Sequence, residues 1–328
     1  MPTRQPVDLE ALSDLRTPWC LHVVVTLRVA EQLADGVSDI AALAAAVGCD
    51  RHVLHAVMGH LANKHVFDET SPGHFALNDA SRGLLEPGAR LGLDLNGIGG
   101  RMAGAWSTLL NYVRTGAPAY AEVFGRPFWD DLDAHPAIAA DFDALIGPAG
   151  HGVPDPHFDL ADGWDDVRSI VDVGGGTGAM LAEVLRLRPA VRGTLVDLPH
   201  TVSRSRRIFR AADVADRVTV VGQSFFDPLP EGADLYLLRG VLNDWPDQDA
   251  VAILRRCADA ARPSGRIVIM KGLIANGARR VLEIEMVLLG GKIRTIAEMR
   301  DLADAAGLDV VAHGPQPAGY LAMECRPR

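Results

Sequence analysis

Residues Val171-Asp-Val-Gly-Gly-Gly-Thr-Gly178 carry the chain from a β-branched run straight into an apolar-periodic one. This junction constrains the fold more than any other part of the sequence. Gly174, Gly176 and Gly178 allow a tight turn and a close approach of backbone to ligand, and the amides that open the following helix point outward. Short β-rich runs then alternate with helical ones, at 169–173, 193–196, 218–221, 235–238 and 267–270. That alternation predicts an α/β domain with a doubly wound, parallel, Rossmann-like sheet. Two last runs, 308–312 and 320–324, are joined only by a Gly/Pro-rich loop, which predicts a terminal antiparallel hairpin.

Upstream, apolar residues recur at helical spacing. One helix is expected over 38–48, from the capping residue Ser38 to Gly48, and a second over 50–63. Val66-Phe67 and His74-Phe75-Ala76-Leu77 flank a polar turn at 69–73, so the pattern is that of a winged helix. DNA readers of this shape are basic, whereas positions 1–101 hold eight basic and twelve acidic residues. The net charge of −10 likewise argues against nucleic acid and anionic membrane surfaces as partners, and favours a small molecule. No apolar run approaches the ~20 residues of a membrane span. Cys20, Cys49, Cys257 and Cys325 are scattered without metal spacing, and no signal-peptide pattern opens the chain. Free thiols, no metal and a cytoplasmic location are expected.

The glycine loop alone also satisfies a dinucleotide fingerprint, Gly174-x-Gly176-x-x-Ala179. Asp172, read as part of the turn, decides between the two: a carboxylate there repels a pyrophosphate and attracts an ammonium, which favours S-adenosylmethionine. Asp197, followed by Leu198, closes the second strand, where it either accepts the ribose hydroxyls or caps the helix after Pro199. Ser224 and Phe225 either meet the adenine or pack in the core. Arg239, at the end of the fourth strand, either pairs with the methionine carboxylate or is solvated.

The segments Val-Asp-Val-Gly-Gly-Gly-Thr-Gly178, Val-Asp-Leu-Pro199, Ser-Phe-Phe-Asp-Pro-Leu-Pro230, Val-Leu-Asn-Asp-Trp245 and Gly-Gly-Lys-Ile-Arg-Thr295 together resemble one family over nearly the whole chain. It is that of the small-molecule O-methyltransferases with a winged-helix dimerisation domain, which includes plant caffeate methyltransferases and bacterial polyketide-tailoring enzymes. Arg-Thr-Gly-Ala-Pro-Ala-Tyr120 and Pro-Phe-Trp-Asp-Asp-Leu132 are most similar to the branch acting on aromatic polyketides. The resemblance implies S-adenosylmethionine as cofactor, S-adenosylhomocysteine as product, a small aromatic acceptor and a homodimer formed through the N-terminal domain. It implies a dimerisation domain over 1–100, a helical linker and pocket region over 101–160 and the cofactor domain over 161–328; the helix-breaking Gly/Pro run at 147–156 marks the expected hinge. It places Phe128, Trp129, Phe142, Ile146 and Met286 in the substrate pocket, although at these spacings core packing is an equal reading.

The chain departs from this family at its base. The catalytic histidine belongs at Asn243, and an amide cannot accept a proton at neutral pH. Lys271 and Ile293 stand where two supporting glutamates belong. Three accounts follow. In the first, an acidic phenol is methylated by proximity while Asn243 and Lys271 hold the phenolate, with Asp244 either a weak base or the N-cap of a helix over 247–257. In the second, the cofactor is kept for nonmethylating chemistry such as hydroxylation, decarboxylation or cyclisation, with Lys271 stabilising an anion. In the third, His151 or His157 replaces the base.

Overall fold

Seven strands form one mixed sheet in the order β10-β11-β7-β6-β3-β4-β5. They are β3 (Ser169–Val173), β4 (Arg192–Asp197), β5 (Val218–Gly222), β6 (Leu235–Arg239), β7 (Arg266–Met270), β10 (Leu308–Pro315) and β11 (Leu321–Pro327). The computed structural model describes residues 7–146 and 155–328. The first five of these strands pair in parallel, and β11 then pairs antiparallel with both β7 and β10. The expected doubly wound sheet with a terminal hairpin is therefore present. The chain runs outward from β3 through β4 to β5, then returns to place β6 on the other side of β3. That reversal is the topological switch point at which open α/β sheets hold their ligands.

Alternation along the strands separates two cores. Val171, Val173, Tyr236, Leu238, Ile267 and Ile269 pack on one face beneath the helices Asp247–Ala260 and Ile296–Ala305. Ile170, Leu235, Leu237, Val268 and Met270 pack on the other, with the helices Ala179–Leu187 and Ser205–Ala211 and with Phe158 from the segment before β3. By the same alternation Asp172 and Arg239 fall on the second face.

The chain divides into two compact units, one of residues up to Gly104 with His135–Leu145, the other of Ala105–Ala134 with the described residues from Ile146 onward. Most of the hinge expected at 147–156 lies outside the described residues. In the first unit the helices Ile40–Val47 and Arg51–Asn63 precede a hairpin of β1 (Phe67–Ser71) and β2 (His74–Leu77). The first of these helices is capped by Asp39, which accepts from the amides of Ala41 and Ala42, and not by Ser38, whose carbonyl is taken by the Phe75 amide. The polar turn expected at 69–73 is largely strand: only Phe67 of β1 is buried, so the run lacks apolar alternation although it pairs with β2. Two short strands, β8 (Leu273–Ile274) and β9 (Arg294–Thr295), pair in parallel outside the main sheet. No single helix among the described residues is long and apolar enough to cross a membrane.

At the edge opposite the switch point, Asp234 fastens the central strands. Its carboxylate accepts from the amides of Arg168 (2.9 Å) and Ser169 (2.8 Å) and from the Ser169 hydroxyl (2.8 Å). Partial burial opposes ionisation, but these bonds and Arg266 outweigh it and hold the group below its ordinary range. A depressed carboxylate stabilises the fold above its unfolded pKa of about 4 and ceases to as pH falls through the folded value. Asp234→Asn is expected to cost about 1–2 kcal/mol at pH 7 in urea unfolding, with the difference from wild type shrinking below pH 4.

Candidate active site

The glycine loop lies at the carboxyl end of β3, beside the switch point. The Gly174 amide donates to the Val196 carbonyl (2.8 Å), which binds the loop to β4. Gly178, at φ 84°, begins the helix Ala179–Leu187, and a Cβ there would overlap the Phe209 ring. Asp197 supports the loop from the next strand: its carboxylate accepts from the amides of Gly176 (2.8 Å) and Leu198 (2.7 Å). It does not cap the short helix that starts at Pro199, whose N-cap position is Leu198. A carboxylate offers about four acceptor positions, so this support is compatible with ribose hydroxyls.

Asp172 belongs to β3 itself and not to the turn. It is 1% exposed, and its Oδ2 has no hydrogen-bond partner among the described residues. Burial pushes its carboxyl up to about 7, against the attraction of Arg239 and with some help from Asp197. Arg239 is also buried rather than solvated, and its guanidinium faces the charge of Asp172, the Tyr320 hydroxyl and Asp155. The switch point thus holds an acid and a base, both desolvated, on one side of the sheet. A zwitterionic amino-acid group has the complementary pair of charges.

Ser224 and Phe225 follow β5. The Ser224 hydroxyl accepts from the Phe226 amide (3.2 Å). Phe225 is half-buried, packs edge-on to Trp245 (5.8 Å between ring centroids) and lies about 3.3 Å from where a Cβ on Gly174 would sit. It therefore belongs to the core margin and to the loop's surroundings at once.

The three altered family positions meet in space. Backbone bonds from Lys292 to the Asn243 carbonyl (2.8 Å) and from Arg294 to the Gly272 carbonyl (2.9 Å) join the segments. Gly272, at φ 68°, lets Asn243 approach to where a Cβ would be only 2.6 Å from the Asn243 Cβ. Asn243 Nδ2 donates to Asp244 Oδ1 (2.8 Å), and Asn243 Oδ1 is a buried acceptor with no partner among the described residues. The helix following begins at Asp247 behind Pro246, so Asp244 is not its N-cap. Instead Asp244 is an acid held well above the ordinary carboxylate range, by burial first and then by Glu285 and Glu283. Lys271 is held below its usual value by burial and by Arg239. Of the two histidines, His157 is exposed and bonded to Asp155 (3.1 Å), and His151 lies outside the described residues.

Sequence reasoning gave Arg294 no role, yet it orders the site. Fully buried, it donates to the carbonyls of Leu242 (2.6 Å) and Trp245 (2.7 Å) and pairs with Asp247 (2.8 Å), which fixes the loop bearing Asn243 and Asp244. Its presence in the Gly-Gly-Lys-Ile-Arg-Thr295 segment was the only signal. Glu283 and Glu285 were also missed, because nothing in the spacing points them at Asp244.

Among the expected pocket residues, Trp129 stacks on Trp245 (6.4 Å, 20° between planes). Phe128 is 2% exposed and packs against Tyr120, a core position. Met286 is half-buried on the helix Ile284–Leu289. Phe142, half-buried on the helix Pro136–Ile146, belongs to the other unit, and the Ile146 side chain lies outside the described residues.

An O-methyltransferase domain matches residues 106–309. The chain belongs to the O-methyltransferase family. It is 37% identical over 324 residues to a 2,7-dihydroxy-5-methyl-1-naphthoate 7-O-methyltransferase of Streptomyces carzinostaticus, covering 97% of this chain and 96% of that one. It is 40% identical over 321 residues to the aclacinomycin 10-hydroxylase RdmB of Streptomyces purpurascens, covering 94% and 86%. The crystal structure of the O-methyltransferase NcsB1 from neocarzinostatin biosynthesis, in complex with S-adenosylmethionine and 2-hydroxy-5-methyl naphthoic acid, superposes with a TM-score of 0.85 at 36% identity, over 98% of this chain and 99% of that one. This is a family of S-adenosylmethionine-dependent enzymes.

A carboxyl whose pKa is raised by folding stabilises the protein below its unfolded value and costs stability as pH rises through the folded one. In the ligand-free protein Asp172 therefore costs stability between about pH 4 and its folded value of about 7. Asp172→Asn is expected to raise ligand-free stability at pH 8 by on the order of 1–3 kcal/mol and to leave it nearly unchanged at about pH 4, in urea unfolding at the two pH values. Equal destabilisation at both would mean the carboxylate has a structural partner.

Proposed function

We propose that this protein is an S-adenosylmethionine-dependent O-methyltransferase acting on a phenolic, polyketide-like aromatic, by orientation rather than by a strong general base. The observation that carries the cofactor reading is the partnerless buried carboxylate oxygen of Asp172 at the head of the glycine loop. Asp172 takes the ammonium, Arg239 the carboxylate, Asp197 and Leu198 the ribose, and Ser224 and Phe225 the adenine, against the loop of Gly174, Gly176 and Gly178. Bound there, S-adenosylmethionine supplies an electrophilic methyl group for in-line transfer.

At the acceptor, Asn243 Oδ1 receives the hydroxyl of the incoming phenol and fixes the oxygen's direction, and the phenol's proton is then lost to solvent before the methyl is transferred. Asp244, bonded to Nδ2, fixes the amide's rotamer. Lys271 favours the phenolate over the phenol, and Trp129 and Met286 border the ring. Alignment of the reacting atoms supplies the acceleration, which is large when the acceptor ionises unaided. The acceptor class is supported by the naphthoate in the name of the Streptomyces carzinostaticus relative and by the naphthoic acid in the NcsB1 complex.

The second reading keeps the cofactor and not the transfer. Asn243 in place of histidine, together with the resemblance to a protein named as a hydroxylase, favours it.

Homodimerisation through the region 1–100 is also proposed. Leu9, Leu12, Leu15 and Trp19 leave a run of apolar side chains exposed near the start of the first unit, the composition of a self-association surface. Location in the cytoplasm, without metal, nucleic acid or membrane, completes the proposal.

Incubation with S-adenosylmethionine and a panel of hydroxynaphthoates and hydroxyanthraquinones, read by product mass, tests the function. A methyl gain with equimolar S-adenosylhomocysteine is expected. An altered product without methyl gain and with the cofactor unconsumed would establish the second reading instead. Asn243→His is expected to raise kcat at pH 7 at least about tenfold on phenols of pKa near 10, and to leave acidic phenols nearly unaffected. An equal gain on both would contradict methylation by orientation.

A further inference from the structure

Tyr320 stands immediately before β11, whose Ala322 pairs with Met270 of β7, which in turn pairs with Arg239 of β6. Those pairings bring the start of β11 to the same carboxyl edge that carries Asp172 and Arg239. Tyr320 packs with the core on the face onto which Asp172 and Arg239 also project. Its hydroxyl is buried and has no hydrogen-bond partner among the described residues. Desolvating a phenol hydroxyl without a partner costs stability, so its place here calls for a partner that none of the described residues supplies.

The neighbours indicate what that partner carries. Arg239 and Tyr320 lie close enough to shift each other's ionisation, and Asp155, from the segment before β3, acts on both. Burial pushes the Tyr320 hydroxyl up to about 12, so it keeps its proton and acts as a donor at any physiological pH. A buried donor beside a buried guanidinium matches a carboxylate, which accepts from both. An ammonium would be rejected there by Arg239.

We propose that Tyr320 is a cofactor-positioning residue that donates its hydroxyl to the amino-acid carboxylate held by Arg239, completing a row of Asp172, Arg239 and Tyr320 along the sheet edge. The inference rests on the methyl-donor reading of the site. The row reads the zwitterion in two halves, its ammonium at Asp172 and its carboxylate at Arg239 and Tyr320. It thereby distinguishes an amino-acid-bearing nucleoside from one without that group.

Calorimetric titration of wild type and Tyr320→Phe with three ligands tests this: S-adenosylmethionine, its decarboxylated analogue, and 5′-methylthioadenosine. The variant is expected to lose about ten- to a hundredfold in affinity for S-adenosylmethionine and to match wild type on the two ligands that lack the carboxylate. Ligand-free Tyr320→Phe is expected to be at least as stable as wild type in thermal unfolding, since only an unpartnered hydroxyl is removed. Equal affinity of both proteins for S-adenosylmethionine would overturn the inference while leaving the methyl-donor reading intact. Equal losses on all three ligands, or a general loss of stability, would mark a packing role and overturn it as well. Failure of wild type to bind S-adenosylmethionine would overturn the methyl-donor reading and this inference with it.

Discussion

The carboxylate of Asp172 is buried at the switch point of the sheet, one oxygen without a partner, and the architecture of this edge follows from that charge. Arg239 alone does not offset its desolvation, because the group still titrates near 7 rather than near 4. A site in this condition is preorganised for a cation. The glycine loop beside it is tied to β4 through the Val196 carbonyl and to Asp197 through the Gly176 amide. The fold holds this arrangement from the far side, where Asp234 fastens the ends of the two strands that carry Asp172 and Arg239.

The acceptor side is ordered by different means. Where the family resemblance leads one to expect a histidine, this chain has an amide whose carbonyl oxygen has no hydrogen-bond partner among the described residues. The loop that carries it is nevertheless held firmly, by Arg294 reaching two carbonyls on either side of Asn243. Rigid geometry with a weak base is a coherent combination when the substrate provides its own acidity and the enzyme provides alignment. The acid beside it, Asp244, is raised by burial and by Glu285 and Glu283, which makes it a hydrogen-bond anchor for the amide more than a permanent anion.

The sheet, its terminal hairpin and the glycine loop were legible because each leaves a local trace: β-branched runs at regular spacing, and three glycines ahead of a helical period. The positions of Asn243, Lys271 and Ile293 were legible as departures from a family pattern, and backbone bonds unite them. What was not legible depends on burial of polar groups by distant segments. Arg239 was as consistent with solvent as with the interior until β3, β7 and Tyr320 were set around it. Arg294 and Tyr320 are separated from their partners by long stretches of chain and obey no periodicity. Of the two readings open for Asp244, the N-cap fails because Pro246, two residues on, occupies that position before the helix that starts at Asp247.

Calorimetric titration with S-adenosylmethionine at pH 7, repeated in buffers of different ionisation enthalpy, tests the account most directly. If Asp172 receives the ammonium as a carboxylate, binding must expel the proton that burial keeps on it. At pH 7, where the ligand amine is already largely protonated, a fraction of a proton per site is then released by Asp172. By pH 9 binding instead takes up a proton, because an α-amino group of pKa about 8 must be charged to pair with the carboxylate. Tight binding with no proton release at pH 7 would contradict the account, because the cofactor would then be held without the charge at the centre of the site.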